Sequence, residues 1–136
     1  MTTLSSLAQA DPAALKTFVD GLLASLSDVH VISNRTGIVM LPAVDPVRGV
    51  HFHVGEVLMA EARVSIGPDS VEGYGACIGR DLEQALAIAI ADACLRAGLH
   101  GDEITRFAEE QRMQRELQDR DLMARVSATR VEMETF

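Results

Sequence analysis

The sequence has no tryptophan, one tyrosine and four phenylalanines, two cysteines, and a single lysine among its 12 basic residues. Each scarcity narrows the field. A Schiff-base mechanism would depend on Lys16, which falls on the exposed face of an ordinary helical pattern. Two cysteines do not make a disulfide scaffold. No apolar run approaches the roughly 18 residues needed to cross a bilayer, so a membrane partner is not expected. Residues 1–11 carry neither a basic residue nor a long apolar stretch, unlike a secretory signal, and the expected compartment is the cytoplasm. Positive charge is also short: 20 acids against 12 bases give a formal net charge of −8. Without a concentrated basic patch such a chain is poorly suited to a phosphate backbone, which argues against nucleic-acid binding. What is present is 136 residues with 48% apolar and 24% charged content. That is one domain with material for a real core.

Local patterns supply the elements. Asp11-Pro12 predicts a helix start, because aspartate caps and proline at the first helical position lacks only an N–H that would be unpaired anyway. Leu15, Phe18, Val19, Leu22, Leu23 and Leu26 then form one apolar stripe, on a helix expected to end near Ser27-Asp28. Val29–Ser33 and Ile38–Leu41 are two short β-prone runs, separated by a predicted turn at Asn34-Arg35-Thr36-Gly37 and stopped at Pro42. Beyond the loop Asp45–Gly49, an extended segment from His51 settles into alternation. Leu58, Ala60, Ala62, Val64 and Ile66 fall on one side, and Met59, Glu61, Arg63 and Ser65 on the other. Val71–Ile78 is the returning strand, with Gly73 and Gly75 leaving room for a close approach.

Asp81 caps a helix over Leu82–Ala97 that is apolar nearly all round, closed by Gly98. One sheet covers one side of such a helix, so a partner subunit is expected on the other. Between Asp102 and Phe136 nine acids and six arginines surround thinly spaced apolar positions. Asp102 to about Arg125 predicts a single helix about 36 Å long at ~1.5 Å per residue. Its apolar residues hold no one stripe, so it is expected to reach another chain. Residues 130–136 alternate like a strand that can add to a sheet edge.

The expected fold is therefore α+β: an N-terminal helix, an antiparallel sheet of about four strands, one buried helix and a long C-terminal helical arm ending in a short strand. Residues 1–101 form the core domain and 102–136 the partner-contacting arm of the same domain. Leu86, Ile88, Ile90, Phe107, Leu117 and Val131 are the expected interface.

Chemistry-bearing patterns are sparse. His51 and His53, two apart on a strand, share a side and could chelate a metal with Cys77 or His30 as third ligand. No pattern places that third ligand nearby, so ordinary strand histidines are the preferred reading and no metal site is assigned. Cys77 and Cys94 fit small buried hydrophobes. Gly55-Glu56 and Gly79-Arg80-Asp81 could form anion-binding corners at strand ends. The alternative is that Gly79 turns, Asp81 caps and Arg80 pairs with a neighbouring acid. No nucleophile elbow, phosphate loop or dinucleotide fingerprint is present in the sequence.

Five segments in order resemble one family, the G protein of the bacterial carbon–phosphorus lyase system for phosphonate use. They are Thr36–Met40, Phe52–Val57, Ala62–Val64, Gly73-Tyr74-Gly75 leading to Gly79-Arg80-Asp81, and the tail Ala128–Glu132. The resemblance spans about residues 36–134. It departs at Leu82, where the family has a basic residue, and at Met133 and Glu134, where it has a pair of phenylalanines. The resemblance implies an α+β subunit of a core complex with the H, I and J proteins, acting with the L protein. The implied reaction attaches an alkylphosphonate to C1 of the ribose of ATP with release of adenine. ATP and alkylphosphonate would be substrates of the complex, with no cofactor bound by this subunit and an assembly or accessory role for it. Gly55, Glu56, Gly79, Arg80, Asp81, Thr129 and Arg130 are the residues expected to meet a phosphate-bearing ligand or a partner's active site. The alternative is a free-standing homo-oligomer that binds a small anion or a metal.

Overall fold

The computed structural model describes residues 2–131. In chain order the elements are α1 (Thr3–Ala8), α2 (Pro12–Leu23), β1 (His30–Val44), β2 (His51–Ile66), β3 (Val71–Ile78), α3 (Leu82–Arg96) and α4 (Gly101–Ala128). The class is α+β, with four helices and one antiparallel sheet in the order β1-β2-β3. Among the described residues the sheet has three strands rather than about four, because the two runs expected to be separate form one 15-residue strand. Residues 34–37 do not turn. Asn34, Arg35, Thr36 and Gly37 pair with Ala62, Glu61, Ala60 and Met59 of the 16-residue β2, so a continuous ladder overrides a local turn signal. Pro42 does not stop β1 either. It sits on an edge strand, beside a register irregularity between Leu41 and Pro42, where a missing N–H costs little.

The expected cap of α2 is present: the Asp11 carboxylate accepts from the Ala14 N–H at 2.8 Å. Leu15, Val19 and Leu22 are buried, but the helix stops at Leu23, where the Ser25 backbone and hydroxyl both donate to the Leu22 carbonyl. The short α1, capped by Thr2, carries no apolar periodicity long enough to show in the sequence. In β2 the alternation holds from Ala60 onward: Ala60, Ala62, Val64 and Ile66 are at most 1% exposed, whereas Leu58, expected on the same side, is 40% exposed where the ribbon leaves the body.

The close approach at Gly73 and Gly75 is made by α3 itself. A Cβ on Gly73 would lie 2.2 Å from the Ala89 carbonyl oxygen, and one on Gly75 2.3 Å from that of Ala85. The helix thus lies backbone-to-backbone on β3, which is why alanines dominate it. Its other side is covered by α1, α2 and α4 of the same chain. The partner subunit expected there is displaced by intramolecular helices, and Ile88 and Ile90, at 2% and 4% exposure, belong to the chain's own core.

Two parts leave this body. Beyond the pairing of Met59 with Ile78, where β3 ends, β1 and β2 continue as a two-stranded ribbon. The far part of α4 is the other. Only Ile104 and Ala108 of its 28 residues are buried, and Phe107 stacks on Phe18 with ring centroids 4.3 Å apart. The strand expected beyond Val131 lies outside the described residues.

Candidate functional site

The β3–α3 corner is the place where sequence and structure agree on specific side chains. Gly79 turns the chain with φ +106°, a value that favours glycine, and donates its N–H to the Leu58 carbonyl at 2.8 Å. Asp81 then starts α3. Its Oδ1 accepts from the Gln84 N–H at 2.9 Å, and its Oδ2 accepts from Lys16 Nζ at 2.8 Å. The Lys16 ammonium first, and the helix N–H second, hold the Asp81 carboxyl below its ordinary range. The same ion pair raises the Lys16 ammonium. The lone lysine is therefore not the free surface group its pattern suggested: it clips α2 to the start of α3. Both oxygens of Asp81 are occupied structurally. Arg80 next to it is exposed and makes no ion pair among the described residues, so the pairing with a neighbouring acid is not made.

On the sheet face away from α3, Glu61 accepts from Arg35 Nε at 2.6 Å and from the Tyr74 hydroxyl at 3.1 Å. Arg35 first, then Tyr74, pull the Glu61 carboxyl down, while burial foremost raises the Tyr74 phenol. Arg63 and Glu72 pair beside them at 2.5 Å. Sequence reading could not find this set, because Arg35 and Glu61 become neighbours only once the register is known. Asp92, the one charged residue of α3 between Glu83 and Arg96, is 4% exposed and accepts both the Tyr74 N–H and Arg96 Nε at 2.9 Å.

A third cluster has the outline of a nucleophile and its base. Ser25 Oγ lies 2.8 Å from His100 Nε2, and His100 Nδ1 lies 3.2 Å from Glu103. Its surroundings oppose that chemistry. The hydroxyl also reaches the Leu22 carbonyl at 2.8 Å, at the C-terminal end of α2, whose partial negative charge disfavours an alkoxide. The contact ties the end of α2 to the α3–α4 turn.

The remaining candidates lie apart. Gly55 and Glu56 are exposed on the ribbon, opposite Leu41 and Met40. His51 and His53 are farther out, opposite Val44 and Pro42, whereas His30 pairs with Ser65 at the other end of β1. Fourteen residues of strand separate the two ends, about 45 Å. Cys77 is turned into the core at 3% exposure, and burial raises its thiol and that of Cys94. No group of three or more metal-ligating side chains forms among the described residues. Thr129 and Arg130 follow the far end of α4, so they are not gathered with the β3–α3 corner. Of the expected interface positions, Leu86 and Phe107 pack on the core, while Leu117 and Val131 are 64% and 80% exposed. No helix among the described residues is long and apolar enough to cross a membrane.

Comparison with known proteins supplies the identity that this geometry alone does not. A family described as phosphonate metabolism protein PhnG matches residues 1–136. The chain is also 33% identical over 107 residues to a putative C-P lyase subunit protein, HtxH, of Stutzerimonas stutzeri. That match takes in 71% of this chain but only 29% of the relative's length. The chain belongs to the PhnG family of phosphonate metabolism proteins.

Proposed function

We propose that this chain is a subunit of the carbon–phosphorus lyase core complex, joining the H, I and J proteins and acting with the L protein. In this reading it supports the transfer of an alkylphosphonate to C1 of the ribose of ATP, with release of adenine. Its part is mainly assembly. The carrying observation is the family match over the full 136 residues. The structure adds support of a different kind, since 12 of the 22 exposed large hydrophobic residues among the described ones lie between Val31 and Leu58 on β1, β2 and their connection. An exposed patch of that extent is characteristic of a surface that a partner covers. Arg80, exposed beside the capped start of α3 and without an ion-pair partner among the described residues, is the side chain best placed to meet a phosphate-bearing ligand or a partner's active site.

The test is co-expression with the I protein, followed by light-scattering mass on a sizing column and turnover of ATP with methylphosphonate in the assembled complex. A joint peak with adenine release supports the reading. A stable homo-oligomer that ignores the I protein supports instead a free-standing ligand-binding protein. In the intact complex Arg80→Ala should lower turnover at least about tenfold, the effect of removing about 1.4 kcal/mol of stabilisation, without loosening assembly. Unchanged turnover would remove Arg80 from the site.

A further inference from the structure

The ribbon formed by residues 38–44 and 51–58 is unlike a stable surface of an isolated protein. Among the described residues no third strand pairs with it beyond the end of β3. Its two strands alternate, so apolar side chains stand on both faces: Ile38 and Met40 with Leu58 on one, Val39 and Leu41 with Val57 on the other. Among the described residues β1 is also an edge strand along its whole length, with a row of backbone donors and acceptors that no other strand pairs. Between Ile38 and Leu58 the only charged residues are Asp45, Arg48 and Glu56, in a chain with net charge −8. Edge strands left to water are usually shortened, charged or broken; within the ribbon the break in this one is confined to Pro42 and the register irregularity beside it, and Ile38–Leu41 carries no charge.

We propose that this ribbon is an insertion arm that enters an apolar groove on a different subunit of the phosphonate-degrading assembly, which adds a strand to the free edge of β1 and apolar walls to both faces. The inference rests on the subunit reading above and specifies where and how the partner binds.

Area argues for a groove rather than a second copy. Seven residues of strand span about 23 Å and two strands about 10 Å, so one face offers about 230 Å² in plan. A stable interface needs about 800 Å² from each partner, which only both faces together with the edge and tip approach. Two copies packed face to face would each leave an apolar face in water. Two copies joined along β1 would leave both faces there. Among the described residues no separate apolar slot is open to another copy's arm: the pocket on the sheet lined by Gly37, Ile38, Val39, Met59 and Ala76 has the ribbon's own residues as part of its wall. The cleft between the α1–α2 corner and α4 is lined by Gln9, Asp11, Gln111, Arg115 and Asp119, which suits water and not an aliphatic ribbon.

The test uses two double variants, Ile38→Glu with Val54→Glu and Ile38→Lys with Val54→Lys. Both positions are 65% exposed, so the body should fold unchanged, as read by circular dichroism and melting midpoint. The control is Ile38→Val with Val54→Ile. Each tagged chain is co-expressed with the H, I and J proteins. The wild type and the control should recover a second subunit, and both charged variants should lose at least about 90% of it, whichever sign is introduced. Hydrogen exchange of the β1 amides at 38–44 should slow only in the assembly. Recovery of partners by folded charged variants, or unprotected β1 amides in the assembly, overturns the arm while leaving the subunit reading intact. Failure of the wild type to recover any of the three overturns both. A wild-type homo-oligomer that the charged variants dissolve identifies a second copy as the occupant and likewise overturns the proposal.

Discussion

At the scale of single residues, the charged groups nearest the core are occupied in joining elements. Asp92 shows why an acid belongs inside an otherwise apolar helix. β3 is an edge strand, and its Tyr74 N–H would face the buried side of α3 without an acceptor; Asp92 supplies one and is itself neutralised by Arg96. Asp92→Ala should therefore orphan the Tyr74 N–H, while the exposed Arg96 guanidinium turns to water, lowering stability by roughly 2 kcal/mol. For a domain of this size that is a fall of about 6 °C in melting midpoint. Asp92→Asn keeps an acceptor for the Tyr74 N–H and should recover about half of the loss. Equal melting midpoints for wild type and alanine variant would mean that water replaces the carboxylate. Lys16 and Asp81 follow the same logic at the surface, where one carboxylate serves a helix N-terminus with one oxygen and a neighbouring helix with the other.

At the scale of elements, the packing of α3 on β3 is the contact that tolerates least. Strand and helix backbones meet at Gly73 and Gly75, whose missing side chains leave 2.2 to 2.4 Å between a hypothetical Cβ and backbone atoms of α3. Those atoms cannot rotate away as a flexible side chain would. Gly75→Ala should push the helix from the sheet and lower stability by about 3 kcal/mol, visible as a melting midpoint depressed by roughly 10 °C. Gly37→Ala, with nothing within 4 Å, serves as the control and should be nearly neutral.

This contact was half legible. The two glycines announced a close approach, and the alternation of Ala60 to Ile66 gave the buried face of β2 correctly. What the sequence did not disclose was who covers whom. α1 has six residues and too little periodicity to be seen, yet it and α2 and α4 fill the side of α3 that was expected to face a partner. The turn expected at Asn34–Gly37 failed for a related reason. Local turn chemistry is outweighed when a long strand, distant in sequence, presents a full ladder of partners. Of the candidate site, the Gly79-Arg80-Asp81 corner was legible because caps and turns are local. The Arg35–Glu61–Tyr74 set was not, because register is not.

At the scale of the whole molecule, the chain is a small closed body with two projections of opposite character. The ribbon is apolar and nearly uncharged, whereas α4 is polar and carries its own ion pairs, Arg112 with Glu109 and Glu116 alongside the body and Arg125 with Asp121 beyond it. The last side chain of α4 to line a cleft against the body is Asp119. From there to Ala128 the helix runs nine more residues, about 14 Å, with Leu122, Met123 and Val126 all more than half exposed. A helix segment stabilised only by its own i,i+4 pairs contributes a few tenths of a kcal/mol per pair and adds nothing to the core. Ending the chain after Asp119 should thus leave the melting midpoint of the isolated protein within about 2 °C of the full chain. Amides at 120–128 should exchange fast in the full chain on its own, since little but their own helix holds them. A drop of more than about 5 °C would show that the far half of α4 folds back on the body in solution. If the exchange of 120–128 instead slows only in the assembled complex, the second projection is a contact surface too, reached by a polar helix where the first is reached by an apolar ribbon.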